Sequence, residues 1–550
     1  MILSGACAKR FLWCFGSFLF PLLVSAQTAS SESPANADQI ARGKRLYAQY
    51  CFMCHQGSGL GAPGVFPPLA KSDFLAGDPD PSIRGLVAGL TGKILVNGVE
   101  YNGVMPPAPF NDEQIADVLT FARNNWGNSG SAISIDQVKN IRAQTAPASA
   151  TALVDPNPFA PLPKAPPGFA LRELVRLPNH PTRLASDHLG KKLYVLCVNG
   201  DVWRVQLPDG RLQQVLSGDT YINQKRGEVN TVGLALDAQN RFYIVVNQRY
   251  EGGALVTNEC TIFRTTTQQY GEPVAPKPWL ETRYPWGIGP FNHGVGHIAI
   301  GPDGFIYINS GSRTDGSEPG QDPRYWTGGE HEFTACIWRI DPRSPKPQIE
   351  IFARGVRNAY GFCWNDQGEM FATDNGPDAD APEELNQIER GKHYGFPYQF
   401  SNWTNKPYAY TPDPPAGTKF TLPIANLGPD AGFAGEPVYT FDPHSSPAGI
   451  VFLGNDFPEG YRGTLLTVRF GNLLKKPRDV GFDLLQLRLQ KNRGTYAARV
   501  TTLLSPLARP VDVHLGAPGK IYICEYSRML DNKGDIGMLP GRVLELAVQR

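Results

Sequence analysis

A paired-strand unit recurs six times between residues 185 and 523. Each copy is a short apolar or aromatic run, then turn chemistry from Asp, Asn or Gly, then a second aromatic-rich run. The copies lie at 185–196, 234–245, 298–308, 362–372, 450–468 and 513–523. Spacings of roughly 50–90 residues suit one four-stranded blade per unit, with insertions in the loops. Short strands repeated in this way cannot leave six sets of open edges. A closed ring of blades removes the long edges and gathers loops over a central channel. A pair of β-sandwiches is the competing arrangement.

Composition agrees with turn-rich β structure: 58 glycines and 49 prolines in 550 residues. The formal net charge is +1, which offers nucleic acid no electrostatic footprint. After the first two dozen residues no apolar run is long enough to span a bilayer. Residues 1–26 read as a secretory signal: Lys9 and Arg10, an apolar stretch from Phe11 to Val24, then a small-residue site at Val24, Ser25 and Ala26. An uncleaved tether is the alternative. Of nine cysteines, Cys7 and Cys14 would leave with the signal. Cys197, Cys260, Cys336, Cys363 and Cys524 are an odd set, several in strand-like runs where buried, inert thiols are expected.

The first 130 residues have a different texture. Cys51, Phe52, Met53, Cys54 and His55 form the CxxCH pattern of covalent haem attachment, in which each thiol adds to a vinyl group and the next imidazole sits beneath the iron. A zinc half-site would need a second Cys/His pair, and residues 56–130 hold neither residue type. They do hold Met105, a candidate sixth ligand whose thioether raises the haem potential. Helical spacing from Ile40 to Cys51, with Asp38 as N-cap, predicts a helix that delivers Cys51 to its end. Asn111 or Asp112 would cap a last helix with Ile115, Val118, Leu119, Ala122 and Trp126 on one side. Residues 38–130 thus resemble a class I cytochrome c. That resemblance implies a proline carbonyl holding the ligating histidine's other nitrogen, and Pro68 is the candidate. Export fits haem attachment, which places the protein in the bacterial periplasm. Residues 131–167, with one short helix at 136–143, read as a proline-rich linker. The expected chain is therefore multidomain: a small all-α domain, then an all-β six-bladed propeller over 168–550.

Motifs in that second part resemble the glucose/sorbosone dehydrogenase family. They are Gly355-Val-Arg-Asn-Ala-Tyr-Gly-Phe362, Ala372-Thr-Asp-Asn-Gly-Pro377, Glu383-Glu-Leu-Asn-Gln-Ile388 and His393-Tyr-Gly-Phe-Pro397. Supporting runs start at Asn292, Ser446 and Arg509. The resemblance implies pyrroloquinoline quinone (PQQ), calcium, and oxidation of an aldose or related alcohol. Arginines pair well with the three carboxylates of PQQ. By motif position Arg313, Arg469 and Arg509 are the candidates, each with a structural ion pair as the alternative. Calcium would be held partly by backbone carbonyls, and the acidic stretch from Asp374 to Asp380 is a candidate.

One departure stands out. Relatives carry a catalytic histidine before the second-blade strand, where this chain has Gly227-Glu-Val-Asn-Thr-Val-Gly-Leu-Ala-Leu236. Glu228 is the candidate replacement base, if burial raises its affinity for protons. His293 matches another family histidine; for it and His297, packed and hydrogen-bonded roles are expected, and packing is expected for Tyr221, Trp286 and Tyr360. The leading expectation is a dehydrogenase that passes electrons through haem c to a downstream respiratory acceptor. The alternatives are an electron-transfer cytochrome c with a non-catalytic ligand-binding propeller, and an oxidoreductase whose propeller binds no quinone.

Overall fold

The computed structural model describes residues 37–51, 55–61, 66–105, 108, 110–145, 160–187, 190–267, 273–287, 293–318, 323–401, 406–430, 439–472, 480–528 and 540–549. The segment read as a secretory signal and Cys54 lie outside them. No helix among the described residues is long and apolar enough to cross a membrane.

The N-terminal unit holds α1 (Ala37–Tyr50), α2 (Asp73–Ala76), α3 (Pro79–Ala88), a hairpin of β1 (Leu90–Val96) and β2 (Val99–Met105), α4 (Asp112–Arg123) and α5 (Ile135–Thr145). Asn111 closes a capping box with Gln114 at the start of α4, as its sequence position suggests. Asp38 is not an N-cap, because α1 already includes Ala37; the carboxylate instead lies in the first turn. The two helices touch at Gly43, where a Cβ would lie 2.0 Å from the Asp117 carbonyl oxygen. Arg42 clamps the Asp117 carboxylate across the same contact, at 2.6 and 2.9 Å.

α5 packs onto this unit. Ser134 and Gln137 cap it reciprocally, with bonds of 2.8 and 3.1 Å. Val138 and Ile141 share a core with Tyr47, Ile83, Phe110, Ile115 and Val118. This packing continues past residue 130, the expected end of the unit, through the helix that ends at Thr145.

Six sheets follow. The first is β4 (Pro181–Ser186), β5 (Leu193–Cys197), β6 (Val202–Gln206) and β7 (Arg211–Leu216). The second is β8 (Glu228–Leu236), β9 (Phe242–Tyr250), β10 (Thr257–Thr267) and β11 (Pro273–Pro285). β12 (Val295–Ile300), β13 (Ile306–Ser310), β14 (Cys336–Ile340) and β15 (Glu350–Arg354) make the third. The fourth has three strands, β16 (Phe362–Trp364), β17 (Met370–Asp374) and β18 (Glu384–Ile388). In the fifth, β20 (Pro447–Leu453), β21 (Thr464–Arg469), β22 (Asp483–Asn492) and β23 (Thr495–Leu504) gain β19 (Ala425–Pro429) as a parallel outer strand. The last sheet joins β24 (Pro510–Leu515), β25 (Lys520–Ser527) and β26 (Pro540–Val548) to β3 (Phe169–Arg176).

That final pairing closes the ring, because the propeller's first strand completes its last blade. All six recurring units fall on the first two strands of a sheet. First strands of neighbouring blades pack around one axis: β4 against β8, β8 against β12, β16 against β20, β20 against β24 and β24 against β4. His297 of β12 stacks edge-on to Phe362 of β16 at 4.4 Å and completes the circle. Antiparallel succession then sets the function-bearing geometry. The starts of all six inner strands, and the loops after each second strand, lie on one face of the ring.

Cys197, Cys260, Cys336, Cys363 and Cys524 form no disulfide. Burial pushes the thiol pKa of each upward, consistent with inert packing.

Candidate functional site

In the N-terminal unit α1 ends at Tyr50, and Cys51 follows with its N–H bonded to the Tyr47 carbonyl at 2.9 Å. One turn on, the His55 N–H reaches the Cys51 carbonyl at 3.0 Å. His55 Nδ1 stands 3.0 Å from the Pro67 carbonyl oxygen. A carbonyl only accepts, so Nδ1 carries the proton and Nε2 keeps its lone pair, the tautomer a metal requires. The partner is Pro67 and not the expected Pro68. The loop doubles back at Gly61 (φ +63°), where a Cβ would lie 2.3 Å from the Phe66 carbonyl oxygen, and this presents Pro67 to the imidazole. Burial lowers the His55 pKa and keeps the ring neutral. Met105 is the half-buried last residue of β2, paired with Leu90. The donor set described (thiol, neutral imidazole, thioether) fits a covalently held haem.

On the propeller face, His293 lies just before β12. Its Nδ1 is 3.2 Å from both the carbonyl oxygen and Oγ of Ser312, and Ser312 Oγ donates to the Thr314 carbonyl at 2.8 Å. Gly311 makes room for this ring, since a Cβ there would lie 2.5 Å from His293 Cβ. Arg357 lies just before β16 and is almost fully buried. Its Nη2 donates to Asp315 Oδ1 at 2.5 Å and its Nη1 to the Asn375 carbonyl at 3.1 Å, while its buried Nε has no hydrogen-bond partner. The Asp374 carboxylate fixes that loop by accepting the N–H groups of Arg357 and Asn358, at 2.9 and 2.5 Å.

The three sequence-nominated arginines have different environments. Arg469, at the end of β21, pairs twice with Asp483 at 2.9 and 2.6 Å. Its Nη1 lies 3.8 Å from Asp442 and is buried without a hydrogen-bond partner. Arg509, just before β24, donates to the Asn472 carbonyl at 3.0 Å, with its guanidinium 5.2 Å from the Phe470 ring centre and 4.6 Å from that of Phe482. Arg313 is different. Its Nε, Nη1 and Nη2 donate to the carbonyls of Pro285, Gly329, Trp286 and Trp326, an arrangement that ties loops together.

Glu228 begins β8. Burial pushes its carboxyl up to about 7, against the pull of Arg249 and of Lys44 from the N-terminal unit. Below the face the axis is filled. Arg183 bonds Asp512, the carbonyls of Val232 and Tyr360, and covers the Tyr360 ring at 4.3 Å. His514 Nε2 lies 2.9 Å from Ser186 Oγ. His297 packs in the same layer, and burial together with Arg183 holds its pKa well below the usual range. Tyr221 donates to the Gly200 carbonyl at 2.5 Å, a packing role.

Among the described residues no three His, Cys, Asp or Glu side chains form a cluster that could hold a metal. In the acidic stretch, Asp374 holds backbone N–H groups and Asp380 pairs with His444 at 2.5 Å. Sequence reasoning passed over Arg357, although Gly355-Val-Arg-Asn was the signal in plain view.

The family model described as Glucose / Sorbosone dehydrogenase matches residues 199–531, and that of Cytochrome c matches residues 40–126. Cytochrome c-552 of Thermus thermophilus is 41% identical over 114 residues, 19% of this chain and 86% of that protein. Quinoprotein glucose dehydrogenase B of Acinetobacter calcoaceticus is 25% identical over 337 residues, 54% of this chain and 69% of that protein. A solved structure titled glucose dehydrogenase superposes with a TM-score of 0.50 at 17% identity, over 69% of this chain and 100% of its own, a likeness of fold. The propeller thus places this chain in the glucose/sorbosone dehydrogenase family, as an oxidoreductase that carries a cytochrome c domain at its N-terminal end.

Proposed function

We propose that this protein is an exported quinohaemoprotein dehydrogenase that oxidises an aldose or other alcohol at the propeller face and passes the electrons through haem c to an external respiratory acceptor. The observation that carries the reading is the buried Nη1 of Arg469, a cationic donor with no hydrogen-bond partner. A buried polar group left without a hydrogen bond costs about 1–3 kcal/mol, more when charged, and a ligand carboxylate at this position would recover that cost. Arg357 and Arg509 stand on the same face, and three guanidinium groups suit a polycarboxylate such as PQQ. When bound, PQQ would supply the hydride acceptor, and haem c a one-electron carrier.

His293 is the residue best placed to take the substrate hydroxyl proton. The Ser312 carbonyl orients its Nδ1, which leaves the base function to Nε2. Glu228 is the alternative acceptor, with its proton affinity raised by burial. Asp315 holds Arg357 in place, and Asp483 does the same for Arg469. The buried Arg183–Asp512 pair, with Tyr360 packed against it, closes the face from below. Arg313 is assigned to loop architecture. Calcium, if used, would take backbone carbonyls on this face. In the N-terminal domain Cys51 and Cys54 would carry the haem, with His55 and Met105 as its axial ligands.

Isothermal titration of the PQQ-free, haem-loaded protein with PQQ tests the site. Stoichiometric binding that weakens in Arg469→Met supports the reading. Absence of binding leaves the other reading, an electron carrier with a non-catalytic propeller.

A further inference from the structure

Among the described residues, an aromatic contact joins the two domains. Tyr50, the last residue of α1 and the neighbour of Cys51, meets the His180 ring edge-on, with centres 6.1 Å apart. His180 precedes β4 on the propeller face, where its imidazole is buried and held by Nδ1 at 3.0 Å from the Tyr526 carbonyl oxygen. It also stacks on the Tyr526 ring, with centres 4.6 Å apart and planes 16° from parallel. Tyr526 in turn meets Phe470 edge-on at 6.0 Å. Phe470 follows Arg469 in sequence and lies under the Arg509 guanidinium, 5.2 Å away.

Four rings therefore run from the arginine cluster to the residue beside the first haem-bearing cysteine. Close by in sequence to Tyr526, the Arg528 carbonyl accepts the Ala160 N–H at 2.8 Å, which anchors the segment leading into β3. Tyr50 is braced from its own side by Phe110, edge-on at 4.8 Å.

We propose that Phe470, Tyr526, His180 and Tyr50 form the electron path from the propeller site to the haem, with Tyr50 on His180 as the docking contact that keeps it closed. This rests on the dehydrogenase reading above. With both cofactors bound, each passage would take one electron from the reduced quinone to the ferric haem, and over two passages the only bonds broken would be the two O–H bonds of the quinol. Two passages and the release of two protons to solvent complete one substrate oxidation. Between them an external one-electron acceptor reoxidises the haem. His180 and Tyr50 are positioning residues, since neither touches substrate.

The path is tested on the full-length, haem-loaded chain with His180→Leu and His180→Phe. After reconstitution with PQQ and calcium, stopped-flow mixing with an aldose reads haem reduction, and a small diffusible dye reads oxidation at the propeller directly. The expected result is haem reduction slowed about tenfold or more in the Leu variant and largely restored in the Phe variant. Dye reduction and the haem midpoint potential should not change. Haem reduction at the wild-type rate in His180→Leu overturns the path. If wild-type protein reduces neither dye nor haem, the dehydrogenase reading has failed, and the docking contact is then judged without PQQ. In that arm hydrogen exchange is compared between wild type and Tyr50→Ala. Faster exchange of the amides of Tyr526 and Ser527 in the variant supports the contact, and unchanged exchange overturns it.

Discussion

Arg183 Nη1 lies 3.1 Å from Asp512 Oδ1 between adjacent inner strands at the axis of the ring, with both side chains shut away from solvent. The pair joins the first strand of the first blade to the first strand of the last, and the second carboxylate oxygen accepts the Leu184 N–H at 2.8 Å. Ring closure thus has an ionic pin at the centre as well as the β3–β26 pairing at the rim. Removing one partner strands the other charge. Asp512→Ala should destabilise the propeller by about 3–5 kcal/mol in denaturant titration, whereas Arg183→Met with Asp512→Leu should cost much less. Equal losses in both would contradict a buried ion pair.

The pH behaviour separates the two candidate bases. Burial raises the folded pKa of Glu228 from an ordinary carboxylate value to about 7. Its stabilising contribution is then complete below the unfolded pKa and is lost as pH rises through 7, on the order of 3 kcal/mol in all. Thermal melts of wild type against Glu228→Gln should diverge over pH 4.5–7, with the variant less sensitive to pH. With His293 as the base, Glu228→Gln should keep substrate oxidation, and His293→Gln should lower it by about 100-fold or more. The reverse ordering would return the role to Glu228.

At the haem, Met105→Ala should lower the midpoint potential and leave the propeller's unfolding transition in place, as seen by redox titration and calorimetry. An unchanged potential would remove the thioether from the iron's coordination.

The arginines should divide in the same manner. Arg469→Met takes away a buried donor without a partner and should weaken PQQ binding by about tenfold or more. Arg313→Met deletes bonds to four carbonyls, so it should lower stability while PQQ affinity changes little, as read by titration and thermal melts. Loss of affinity in Arg313→Met would reassign it to the cofactor.

Legibility of the sequence followed the range of the interaction. Local patterns were readable: the CxxCH spacing, the Asn111 and Gln114 capping box, and six strand pairs that landed on the inner strands of six blades. The carbonyl facing His55 was off by one residue, because two adjacent prolines offer the same chemistry and only the fold at Gly61 chooses Pro67. The β1–β2 hairpin was missed, as was the role of residues 169–176 in completing the last blade across more than 360 positions. Nothing local marks a strand whose partner lies at the other end of the chain. Arg313 and Arg469 look alike as sequence, yet one finds backbone carbonyls and the other a carboxylate with a donor to spare. The path from Phe470 to Tyr50 draws on four segments, and no pattern within any of them announces it.

The most direct measurement is a titration of the purified, haem-loaded protein with PQQ and calcium, followed by haem absorbance across a panel of aldoses and alcohols. The haem should become ferrous only when PQQ and a substrate are both present, with saturation at one PQQ per chain. Haem that stays ferric with every substrate at saturating PQQ would contradict the dehydrogenase reading.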